Sequence, residues 1–103
     1  MTELTPLKVL IDARVKIADP AKWGKGMRGN GLRHFDTCCA AEAIEETAPR
    51  DHKARTDALR ALYNASGLDW SKDAIIHWND APERTHAEVL AAFTLAIATL
   101  RLS

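Results

Sequence analysis

Cys38 and Cys39 stand side by side and are the two cysteines of the chain. The apolar spacing predicts a helix over residues 37–48, which places both thiols at or just inside its start. The positive end of the helix dipole and its free N–H groups lower a thiol's pKa there. A nucleophilic cysteine also needs a base. His86 and His52 are the imidazoles considered for it, with Asn79 or Asp80 to orient the ring. That constellation would make a cysteine-dependent enzyme working through Cys38 or Cys39 with His86. Burial as small inert hydrophobes is the commoner fate of such residues and is the leading expectation. A metal site is not expected, because adjacent residues point roughly 100° apart on a helix. The chain also has no C-x-x-C pair and no H-x-x-x-H. No cofactor is expected.

A second candidate lies just before the cysteines. The segment 22–34 holds Gly24, Gly26, Gly29 and Gly31, with Lys22, Lys25, Arg28 and Arg33 and no acid. Its letters Gly24-Lys25-Gly26-Met27-Arg28-Gly29 match a dinucleotide fingerprint. That mechanism needs a strand before the glycines and a helix opening directly after them. Here a helical segment and Trp23 precede them and more loop follows, so the fingerprint is rejected. A basic glycine-rich loop remains, in which Lys25, Arg28 and Arg33 could hold phosphate. Trp23 could stack on a base. A plain surface loop is the competing and simpler reading.

The third candidate is Trp78-Asn79-Asp80-Ala81-Pro82-Glu83-Arg84-Thr85-His86. Trp78, Asn79, Asp80 and Arg84 would form a polar patch that recognises a partner. A structural reading covers the same residues. Asn79 and Asp80 satisfy a turn, Pro82 stiffens it, and Arg84 pairs with an acid such as Asp80. Thr85 and Glu88 have the spacing of a capping box. His86 then falls in a first helical turn on the Val89/Phe93 side, where the dipole favours a neutral, packed imidazole.

Five helices are predicted to carry these groups, with no strand. The first spans residues 6–18, capped by Thr5, with Pro6 at its first position. Leu7, Leu10, Ile11 and Ala18 share its inner face, and Arg14 on that face snorkels or meets a carboxylate. Residues 20–23 allow a short extra turn. The second helix, 37–48, is capped by Asp36 or Thr37. Ala40, Ala41, Ala43, Ile44 and Ala48 form its inner face, opposite Cys38, Glu42, Glu45 and Glu46. The third, 52–66, is capped by Asp51 and ends at Gly67 in the left-handed region with Leu68 as its apolar contact. The fourth, 70–78, is capped by Asp69 or Ser71 and leaves through the turn 79–82. The fifth, 86–102, is apolar on both faces: Val89, Phe93, Ala96, Ile97 and Leu100 on one, Ala91, Leu95, Ala98 and Leu102 on the other. Such a helix is predicted to be central to the fold or to form an oligomer interface.

With 103 residues, 47% of them hydrophobic, the chain is one domain with one modest core. Fourteen basic and fourteen acidic residues cancel, which argues against coating nucleic acid by bulk charge. The charge is nonetheless segregated, +4 over residues 1–35 and −4 over 36–51. The longest uncharged run, Val89 to Leu100, is too short to span a bilayer. No signal-peptide pattern opens the sequence, and the cysteines form no disulfide framework, so a cytoplasmic setting is expected.

The segment Trp78-Asn79-Asp80-Ala81-Pro82-Glu83-Arg84-Thr85-His86-Ala87-Glu88-Val89-Leu90 resembles a family of small bacterial and phage proteins of unknown function. That family carries W-N-D-x-P-x-R-T-x-x-E-V-L in its C-terminal half. Cys39-Ala40-Ala41-Glu42-Ala43-Ile44 is similar to a second shared block, with Glu42 where the family has glycine, and Trp23 matches the end of its N-terminal helix. The resemblance names no reaction. By analogy with a phage setting, it implies a small binding or regulatory protein. The combined expectation is an all-α, non-enzymatic, macromolecule-binding domain, a homodimer through the 86–102 helix. A protein partner is possible, nucleic acid is possible but not favoured, and no membrane is involved. The alternatives are the cysteine enzyme and the phosphate or nucleic-acid binder of the 22–34 loop.

Overall fold

The computed structural model describes residues 4–25 and 38–102. Five α-helices follow one another: α1 (Pro6–Lys16), α2 (Ala40–Thr47), α3 (His52–Ala65), α4 (Ile75–Asp80) and α5 (His86–Leu102), with a 3-10 turn over Pro20–Lys22 after α1. Among the described residues the one β-type pairing is a parallel bridge between Trp23 and Cys38. The all-α class predicted from periodicity is the class observed.

Local chemistry sets most helix ends. The Thr5 hydroxyl accepts the Lys8 N–H at 3.1 Å, and the Asp51 carboxylate accepts the Ala54 N–H at 3.0 Å. Gly67 adopts φ 73°. Its N–H reaches the Asn64 carbonyl and that of Leu68 reaches Tyr63, the paired bonds of a Schellman ending. At α5, the Thr85 N–H donates to Glu88 at 2.9 Å while the Thr85 hydroxyl accepts the Glu88 N–H at 3.2 Å, completing the box.

Two helices begin later than predicted, each for a tertiary reason. The start of α2 shifts from residue 37 to Ala40, because the Cys38 backbone is engaged elsewhere. Its N–H donates to the Lys22 carbonyl at 2.8 Å and its carbonyl accepts the Gly24 N–H at 3.0 Å. Cys39 therefore stays extended (φ −82°, ψ 174°) and becomes the N-cap; Asp36 and Thr37 lie outside the described residues. In α4 the start moves from residue 70 to Ile75. Asp69 caps a separate turn instead, accepting both the N–H and the hydroxyl of Ser71. With no side-chain cap from Ala74, the Ile75 N–H donates to the Tyr63 hydroxyl of α3 at 2.9 Å. Asn79 and Asp80 consequently lie inside α4 rather than in the turn after it.

The core collects Val9, Leu10, Ala13 and Ile17 from the first helix and its end, and the alanine face and Ile44 of α2. Ala54, Ala58 and Leu62 of α3, Ile75 of α4, and Val89, Phe93, Ala96 and Ile97 of α5 complete it. Each large side chain fully removed from water stabilises the fold by about 1.5–3 kcal/mol. The alanines of α2 let its backbone approach α1 closely. Packing joins α1 to α2, α3 and α5, whereas α5 packs on α1 and α3. The apolar character of α5 on both faces is therefore not explained by a central position. Val89, Ala92, Phe93, Ala96 and Ile97 are buried, while Ala87, Ala91, Leu95, Ala98 and Leu102 are exposed. Ala18, placed on the inner face of the first helix, is exposed beyond its end. Arg14 meets no carboxylate among the described residues: its Nε–H donates to the Thr94 hydroxyl of α5 at 3.1 Å. No helix among the described residues is long and apolar enough to cross a membrane.

Candidate functional site

Two places stand out, a polar node built on Asn79 and the outer face of α5, while the cysteines lie at the start of α2 and His52 at the start of α3. Arg28 and Arg33 lie outside the described residues.

Asn79 is completely buried. Its Oδ1 accepts the Trp23 indole N–H at 2.7 Å and the Ala40 N–H at 3.1 Å. Its Nδ2 donates to the Gly24 carbonyl at 3.1 Å and to Asp80 at 3.0 Å. One amide thus ties the start of the glycine-rich segment, the first turn of α2 and the end of α4 together, with both of its acceptor and both of its donor capacities used. The ammonium of Lys25 joins the same node. It donates to the Ala81 carbonyl at 2.6 Å and the Pro82 carbonyl at 3.3 Å, and lies 5.9 Å from the centre of the Trp23 ring. Cations are favoured there, beside the free carbonyls of a helix end. Lys25 is thereby committed to the chain's own backbone, where the sequence suggested a phosphate.

Arg84 departs from the expected pairing with Asp80. Its Nε–H donates to the Trp78 carbonyl at 3.0 Å, and its guanidinium sits 4.4 Å from the centre of the Trp78 ring. It also approaches Glu88 at 3.5 Å. Glu88 has its carboxyl held below the ordinary glutamate range, first by the Thr85 N–H and then by the Thr85 hydroxyl. Trp78, Arg84 and Glu88 brace the α4–α5 turn from outside, and Asn79 with Lys25 braces it from inside.

Both cysteines are buried. Cys39 forms a capping box with Glu42: its thiol accepts the Glu42 N–H at 3.5 Å, while Glu42 accepts the Cys39 N–H at 3.1 Å. The Cys38 thiol donates to Glu46 at 3.3 Å. Because Cys38 precedes α2 in extended backbone, it does not project from the outer helix face as the periodicity predicted. His86 turns toward α1, where its Nε2–H donates to the Ile17 carbonyl at 2.6 Å. A carbonyl only accepts, so this nitrogen carries a proton. The ring of His86 packs 5.7 Å from that of Trp23. His52 is exposed, and its Nδ1 accepts from Arg55 at 3.1 Å. Both imidazoles are thus held by other groups. Among the described residues no three His, Cys, Asp or Glu side chains gather closely enough to hold a metal ion.

Two participants take structural parts that the sequence did not assign them. Trp23 bridges His86 and Asn79, and Tyr63 caps a helix twelve residues further on.

The second place is a surface. Along the outer side of α5, Ala87, Ala91, Leu95 and Ala98 line a shallow apolar trough. It continues past Thr94 and Ala98 to Val15 of α1. Leu95 is 53% exposed, Val15 70% and Leu102 89%. The charged residues lining the trough are Arg14 and Arg101.

A profile of a family of unknown function, DUF6197, matches residues 1–99. The chain belongs to that family. The match takes in every element from α1 to most of α5, so the Asn79 node and the outer face both lie within the DUF6197 region. No curated protein and no solved structure matches the chain.

Proposed function

We propose that this DUF6197 protein is a small non-catalytic binding module that engages another protein through the outer face of α5. The exposed apolar strip carries this reading. A small domain gains nothing in its own fold from leucines left in water, and contiguous apolar patches on small soluble domains are commonly binding surfaces. Two further features support it. The Asn79 node is saturated by internal hydrogen bonds, which suits a brace. The thiols and imidazoles considered for catalysis hold positions that cap helices or join them.

Substituting both exposed leucines tests the reading. Leu95→Glu with Leu102→Glu is expected to leave the far-ultraviolet circular dichroism unchanged and the urea midpoint within the small range of surface substitutions, about 0.5 kcal/mol. A loss on the scale of a core truncation, roughly 2 kcal/mol or more, would make the strip part of the fold and remove the proposal. The apolarity of α5 on both faces also supports a second reading, a homodimer through residues 86–102. Sedimentation equilibrium from micromolar to millimolar protein distinguishes the two. A dimer that the double substitution dissociates assigns the face to a second copy, and a monomer throughout assigns it to a different protein.

A further inference from the structure

The geometry points to an acidic amphipathic helix of a different protein as the occupant of the α5 face; this rests on the binding reading above. The strip has the form of a helix acceptor. Ala87, Ala91 and Ala98 keep the floor low, so that another helix backbone can come close, and Leu95 and Val15 stand at its sides. Seventeen residues of α5 provide about 25 Å of length, enough for some four turns of a partner laid along it. Partners of this kind insert apolar residues at i, i+3 or i+4, and i+7.

Charge then selects among partners. The guanidinium groups of Arg14 and Arg101 line the trough, while past Ala91 and Leu95 the adjoining side carries Arg84 and Glu88, which pair with each other, so the border is positive on balance. Arg14 is fixed at the level of Thr94 by its hydrogen bond, and Arg101 follows seven residues later on α5, roughly 10 Å further along the axis. Acids seven residues apart on one flank of the partner's apolar stripe would meet both, each in a rim position where ion pairs choose between partners more than they add affinity. A second copy lacks that complement. Its own strip carries the same two arginines, and the acid that borders it beside Ala91 and Leu95, Glu88, already serves Thr85 and Arg84.

The probes are two synthetic helical peptides with identical leucine stripes, one bearing glutamates seven residues apart on the flank and the other lysines at the same positions. Binding to the full chain is followed by backbone amide shifts in nuclear magnetic resonance, with sedimentation run at the same concentration. The expected result is that the glutamate peptide binds roughly tenfold more tightly at low salt. Shifts should centre on Val15, Leu95 and Ala98, and the preference should reverse in Arg14→Glu with Arg101→Glu. Equal binding of both peptides at that face would overturn the acidic partner while leaving α5 as a binding surface. Binding of neither peptide to a monomeric chain would overturn both readings. A dimer occupying the face would give it to a second copy and overturn the acidic partner alone.

Discussion

Asn79 illustrates how a single side chain can mimic the appearance of a recognition residue. It is polar, flanked by Trp78 and Asp80, and sits in the most distinctive stretch of the sequence. In the fold it is fully buried, with each amide atom holding two partners. Removing a partner from a buried polar group costs more than the bond itself contributes, because the orphaned group has lost its water as well. Asn79→Ala would orphan the Trp23 indole N–H, the Ala40 N–H and the Gly24 carbonyl together. We expect a destabilisation of about 2–4 kcal/mol in urea unfolding, with the Trp23 contribution to fluorescence altered before unfolding begins. A loss under about 0.5 kcal/mol would mean the node is an ornament of the surface and not a brace. Cys39 belongs to the same scale. Its thiol occupies the acceptor position that serine or threonine usually fills at an N-cap, and Glu42 supplies the other half of the box. Glycine there would leave the Cys39 N–H without that carboxylate.

Among the elements, α5 depends most visibly on its ends. The Thr85–Glu88 box lowers the Glu88 pKa through hydrogen bonds to the ionised carboxylate, and Ser71 does the same for Asp69, its hydroxyl more than its N–H. The sign follows from linkage. Each group binds its proton more weakly folded than unfolded, so its stabilisation is present above the unfolded value and is lost as pH falls through the lower folded value. Acidification below about pH 5 should therefore lower the thermal midpoint progressively. Glu88→Gln keeps an oxygen for Thr85 but cannot ionise, so its midpoint should fall less over the same range. An identical pH slope in the parent and the variant would show that Glu88 takes no part. Unlike α5, α4 has no cap of its own and relies on the Tyr63 hydroxyl, which makes a six-residue helix a dependant of α3.

At the scale of the whole molecule, one core serves all five helices. Phe93 is the largest fully buried side chain among the described residues and lies on α5, which packs on α1 and α3. Phe93→Ala should cost about 3–5 kcal/mol. Because no helix has a core of its own, circular dichroism and tryptophan fluorescence should still report one coincident transition, now at lower urea. Separate transitions would show that α1–α3 hold together without α5. The charged segments of the sequence, +4 over residues 1–35 and −4 over 36–51, do not make the molecule basic or acidic as a whole. Function by bulk charge is thereby disfavoured, and what the surface offers instead is a local apolar strip with two arginines.

The residues themselves determined the features whose causes lie within a turn or two of chain: the helical period, the caps at Thr5 and Asp51, the Thr85–Glu88 box and the left-handed Gly67. Each links groups three to six positions apart, so neighbouring letters suffice to predict it. Tertiary structure decided the rest. The starts of α2 and α4, the burial of Cys38, the engagement of Lys25 with a helix end and the fourfold use of Asn79 rest on partners up to 57 residues away, and a single sequence carries no record of which distant groups will meet. The same holds for α5. Its composition shows that both faces are apolar, but only packing against α1 and α3 determines which face is covered and which is left exposed.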